Sequence, residues 1–139
     1  MKNNVWSSMT ALALALCVGS ALAQAKVDFG KREYESKCAS CHGMSAKGDG
    51  YMRPFLTKSP ADLTVLAKAN QGVFPMNRLY ESIEGGTVAS HGTRDMPVWG
   101  KEYRIGAAAY YVDVDYDAEA YVRMRILALL EYLNRLQVR

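Results

Sequence analysis

Apolar residues Val122, Ile126, Leu129, Leu133 and Leu136 recur at alternating intervals of four and three, with charged residues between them. This period predicts an amphipathic helix over 117–137, roughly 30 Å long at about 1.5 Å per residue. Asp117 stands at the N-cap position and Glu119 in the first turn, where the helix dipole favours an anion. Upstream, "DFGKREYESKC" at 28–38 is rich in helix formers and sets Gly30, Tyr34 and Cys38 four apart on one face. A helix there would deliver Cys38 to its end. Ser59 as N-cap and Pro60 at the first helical position predict another helix over 59–70. "MNRLYESIEGG" predicts a short one that carries Leu79 and Ile83 and stops at Gly85 and Gly86. "HGMSAKGDGYMRP" and "TVASHGTRDMPVWG" have no period and read as loops. "VDVDYD" at 112–117 alternates like a strand but is too short to build a sheet, so helix is the regular structure the pattern supports. There is no internal repeat and no second domain.

The first residues belong to a different kind of segment. Lys2 precedes the apolar run "MTALALALCVGS", which ends in "ALA" at 21–23, the pattern of a secretory signal peptide cut before Gln24. The run is short for a bilayer span, which needs about 20 residues, although a retained anchor helix is the alternative. Leu16 before Cys17 is larger than lipoprotein processing tolerates. Cleavage leaves 24–139 as one domain with no membrane span, and it reduces three cysteines to two, both in "KCASCHG". No cysteine is then left for a structural disulfide. The net charge falls from +3 to +2, and basic residues are scattered among acids, so there is no nucleic-acid footprint. Half the chain is apolar, as in a folded domain. A domain this small buries only about two thirds of its chain's surface, so a large apolar cofactor or a cross-link would add stability.

Cys38, Cys41 and His42 carry the chemistry. Thioether bonds to the two vinyl groups of a haem need both sulfurs on one side of a short turn, with an imidazole behind them to reach the iron. Cys-x-x-Cys-His is that attachment signature. Thioredoxin-like chemistry would want a strand before the motif and a βαβ pattern around it. Zinc would need four ligands, and adjacent Cys41 and His42 are awkward on one tetrahedral ion. With His42 on one side of the iron, a thioether is the usual partner on the other, because soft sulfur favours ferrous iron. Of seven methionines, Met1 and Met9 leave with the signal, Met44 and Met52 are too close to His42, and Met124 lies inside a helix. Met96 and Met76 remain. Met96 is favoured, because it is far along the chain and is followed by Pro97, which stiffens the approach. His91 or an open position are the other readings. The acidic run from Asp113 to Glu119 is not an EF-hand, since Ala118 and Met124 stand where glycine and glutamate are required.

Taken together, "CASCHG", "GDG", "PADLT", "FP", "HGTRDMPVWG" and "LLEYL" make the chain resemble a class I monohaem cytochrome c of the small bacterial periplasmic kind. The resemblance implies an all-α fold whose N- and C-terminal helices cross and pack together around one covalently bound haem c. Gly30 would allow their close approach, with Tyr34 and Tyr132 at the contact. It also implies that the Pro54 carbonyl accepts the hydrogen bond of the His42 ring, and that Trp99 and Arg94 flank the methionine loop. "EYRIGAAAYYVDVDYDAEA" is longer and more acidic than the connection many relatives use. The expected function is electron carriage in the periplasm, with no catalysis, on a haem ligated by His42 and Met96. The expected partners are redox proteins: a periplasmic dehydrogenase as donor, and a terminal oxidase or other reductase as acceptor. Lys31, Arg32, Lys37, Lys47 and Lys58 would steer an acidic partner. A sensor or catalyst with an exchangeable sixth ligand, or the cytochrome subunit of a dehydrogenase complex, are the competing readings.

Overall fold

A computed structural model describes residues 27–85 and 96–138, and all of their regular structure is helical. The expected signal peptide, His91 and Arg94 lie outside the described residues. Helix α1, Phe29–Lys37, is capped by the Asp28 carboxylate, which accepts from the Lys31 amide at 3.0 Å. At Cys38 the chain turns into the single-turn helix α2, Ala39–His42. That turn is closed by Gly43 at φ 79°, where a Cβ would sit 1.8 Å from the Asp49 carboxylate.

The longest element, α5, spans Ala118–Arg135 and packs against α1, α3 (Met76–Glu84) and α4 (Trp99–Tyr110). Asp117 caps α5 as the spacing predicts, accepting from the Glu119 and Ala120 amides, both at 2.9 Å. Of the expected apolar stripe, Val122, Ile126, Leu129 and Leu133 are buried and Leu136 is half-buried, and Leu130 is buried beside them. Each such side chain contributes roughly 1.5–3 kcal/mol relative to exposure. α1 crosses α5 at Gly30, whose backbone lies so close that an added Cβ would be 2.0 Å from the Ala128 carbonyl oxygen. Tyr34 and Tyr132 meet beside this crossing with ring centroids 5.4 Å apart. α3 keeps its predicted position and ends at Gly85 in the left-handed region.

Two expectations are corrected. The helix expected over 59–70 does not form; the segment runs as turns, with a 3-10 turn at Lys68–Asn70. Its backbone groups have better-placed partners elsewhere in the fold. The Leu63 amide donates to Ala46 O at 2.7 Å and the Ala67 amide to the Gln137 side chain at 2.9 Å. Gln137 in turn donates to Leu63 O, Thr64 O accepts from Val138, and the Asp62 carboxylate binds the Thr64 amide and hydroxyl. These long-range bonds replace the i→i−4 ladder. The second correction concerns Trp99 and Gly100, which open α4 instead of closing a loop. Gly100, Tyr103 and Ala107 form its buried face, while Arg104 makes a two-pronged pair with Glu119 at 2.7 and 2.8 Å. Residues 112–117 form no strand.

Candidate cofactor site

Cys38 ends α1 because the helix closes there, its amide donating to Tyr34 O at 2.8 Å. Cys41 and His42 are delivered one turn later by α2, with their amides both bound to Cys38 O, at 3.1 and 2.9 Å. The glycine-rich loop then folds back over the turn: Gly48 donates to His42 O, Gly50 to Cys41 O and Met52 to Ser40 O. Tyr34 holds this loop from behind. Its fully buried hydroxyl donates to Gly43 O at 2.5 Å.

All three motif residues open onto one cavity of about 400 Å³, within the roughly 300–1,000 Å³ typical of cofactor sites. Its walls are mainly apolar. Leu63 and Leu66 come from the unwound 59–70 segment, Leu79 and Ile83 from α3, and Leu129 and Leu133 from α5. Met96 and Pro97 also line it, just before α4, as does Trp99 at the start of that helix. Met96 is half-buried and packs against the core, whereas Met76, the alternative ligand, is exposed and does not line the cavity. Met44 and Met124 are exposed too. Lys37, Lys58 and Arg78 supply the cationic part of the lining, and the Lys37 ammonium stands 5.3 Å over the Trp99 ring.

The carbonyl that meets the His42 ring is that of Ala61, 2.9 Å from Nδ1. Pro54, expected in that role, stands in an exposed 3-10 turn at Arg53–Phe55, and so the expectation is corrected. The reason is the unwinding of 59–70. Leu63 pinned to Ala46 O brings the Ala61 carbonyl to the ring, and a backbone carbonyl leaves no side-chain signal in a sequence. Since a carbonyl only accepts, Nδ1 carries a proton, and a neutral ring held this way has its lone pair on Nε2, as a metal-binding imidazole needs.

Burial, followed by the neighbouring Glu33 and Cys41 charges, pushes the Cys38 thiol up to about 12. Thiol-exchange cysteines show the opposite shift. Among the described residues, no three His, Cys, Asp or Glu side chains converge as a metal site. Two cysteine sulfurs, an imidazole and a thioether on one cavity are the donors that would hold a covalently attached haem. Sequence reasoning missed the buried Glu33, which is paired with Arg125 of α5. Its only sequence signal is a charge at a core-facing helical position.

An all-helical domain with a CxxCH turn and a methionine segment facing one apolar cavity has the fold of a c-type cytochrome. The family model described as cytochrome c oxidase, cbb3-type, subunit III matches residues 25–112, more than half of the chain, and the chain belongs to that family. No curated protein and no solved structure matches it. A cytochrome c domain binds haem c covalently and transfers electrons through it. No described helix is long and apolar enough to cross a membrane.

Proposed function

We propose that this chain is exported, is cut after Ala23, and works in the periplasm as a one-electron carrier with a single haem c. The haem is attached through Cys38 and Cys41 and ligated by His42 and Met96. The observation that carries this reading is that the three side chains of the CxxCH turn and Met96, from a distant part of the chain, line one apolar cavity. When bound, haem supplies an iron that changes oxidation state by one electron without breaking a bond in a substrate. The chain's own residues do the rest. Ala61 O fixes the His42 ring and its tautomer, the Met96–Pro97 segment brings a thioether to the cavity, and the leucine walls exclude water. Rigid ligands keep the reorganisation at each transfer small.

Lys37, Lys58 and Arg78 around the cavity favour an acidic partner surface, which gives fast, salt-sensitive association. Lys31 is partly engaged by Glu35 at 3.7 Å, and Arg32 lies against Phe29. Membership of a family described as an oxidase subunit favours an oxidase as the electron acceptor and a chain associated with that assembly. Intact mass and visible spectroscopy of the exported protein test the reading. The polypeptide should weigh more than residues 24–139 by one haem and show Soret absorption. A bare polypeptide mass refutes it. Rapid binding of carbon monoxide by the reduced protein at neutral pH would refute the Met96 assignment and favour the sensor reading.

A further inference from the structure

We propose that Glu33 tunes the reduction potential of the haem through a buried, oriented charge pair with Arg125. The proposal rests on the attachment at Cys38 just described. Glu33 is 5% exposed, on the core face of α1, and its Oε1 pairs with the Arg125 guanidinium of α5. Arg125 is held from its other side by the Tyr121 hydroxyl and lies over the rings of Tyr121 and Phe29, 4.9 and 6.0 Å from their centroids. The second oxygen of Glu33 and the hydroxyl of Tyr103 from α4 are both buried, and the phenol is placed to hydrogen-bond that carboxylate. These groups are close enough for the Glu33 charge to help burial hold the Tyr103 phenol protonated.

Retaining this arrangement is costly by stability alone. A buried ion pair is worth little over apolar packing of the same volume. Its direction is what matters for electron transfer. Glu33 lies on α1 five residues before Cys38, which lines the cavity, and it is the inner member of the pair, its side chain 7% exposed against 27% for Arg125. The pair thus presents its negative end to the ring. A carboxylate in low dielectric favours the ferric over the ferrous state, because oxidation adds a positive charge nearby. Glu33 therefore holds the potential below what His42 and Met96 alone would set.

The test is spectroelectrochemical titration of the haem-loaded protein as wild type, Glu33→Gln and the double variant Glu33→Gln with Arg125→Gln. Glu33→Gln keeps the shape and leaves the Arg125 cation unopposed, so its potential should be the highest, by roughly a tenfold change in the equilibrium against a fixed redox buffer. That is about 59 mV for one electron. The double variant removes both charges and should fall between the other two. A merely structural pair would give the largest departure in the double variant. A Glu33→Gln potential at or below wild type, or a double variant at or above Glu33→Gln, overturns the proposal, provided the methionine-to-iron charge-transfer band shows ligation intact. If a variant loses that band or fails to fold, Glu33→Asp serves, whose potential should stay close to wild type; a rise as large as that expected for Glu33→Gln overturns the proposal. A wild type that takes up no haem refutes the attachment reading; haem-loaded variants with the wrong order refute this inference alone.

Discussion

Replacing Gly30 by alanine sets two effects of opposite sign against each other, and the structure decides between them. Alanine is the better helix former by about 1 kcal/mol, so propensity alone would stabilise α1. The new Cβ, however, would lie 2.0 Å from the Ala128 carbonyl oxygen and 2.8 Å from both the Ala128 carbonyl carbon and Tyr132 Cβ. The first two are backbone atoms of α5 and cannot swing aside, so the helices must separate by about 1 Å in a core packed to crystal density. That disturbs the Tyr34–Tyr132 contact and the leucines beneath it. Overpacking of this kind costs about 1–3 kcal/mol and occasionally more; with rigid backbone as the obstacle the upper end applies, for a net loss of about 2 kcal/mol. At about 4 °C per kcal/mol, thermal unfolding of the haem-loaded protein followed by circular dichroism should shift down by roughly 8 °C. Gly106 is the control. It lies in α4 with nothing within 4 Å of an added Cβ, so Gly106→Ala should stabilise by up to about 1 kcal/mol. A Gly30→Ala protein as stable as wild type, or no less stable than Gly106→Ala, would refute the crossing geometry.

Other outcomes follow from the same contacts. Asp117→Ala removes two bonds at 2.9 Å from the start of α5 and should cost about 1 kcal/mol in denaturant unfolding, while Asp117→Ser should recover most of it. Met96→Ala should keep the haem, lower its potential and admit carbon monoxide in the reduced state; an unchanged potential would show that another residue holds the sixth position. Hydrogen bonds from Lys31 N and from Thr64, together with Arg104, hold the carboxyls of Asp28, Asp62 and Glu119 below their ordinary values. Their folded pKa values are depressed, so their contribution is present above the unfolded values of about 4 and is lost as pH falls through the folded ones. Stability measured against pH should therefore decline below about pH 4, and the variant carrying Asn, Asn and Gln at these positions should decline less steeply there.

The elements that were legible in the sequence are those whose stability is local or one-sided. Asp117 caps α5 through amides two and three residues away, and Val122, Ile126, Leu129 and Leu133 repeat at a helical period because one face of α5 meets the core. The CxxCH spacing was equally local, since two sulfurs and an imidazole must leave one short turn. What only tertiary structure decided was settled by partners far away in sequence. Ser59 and Pro60 announce a helix, yet Ala46, Gln137 and Val138 hold 59–70 unwound, and that unwinding gives Ala61 the contact with His42 expected of Pro54. α4 was hidden because Gly100, Tyr103 and Ala107 make a weak apolar face until α3 and α5 close over it. Glu33 beside Cys38 is the plainest case. A charge on α1 reads as solvated until α5 brings Arg125 against it, because burial is a property of the packed molecule and sequence spacing specifies only which face a residue occupies.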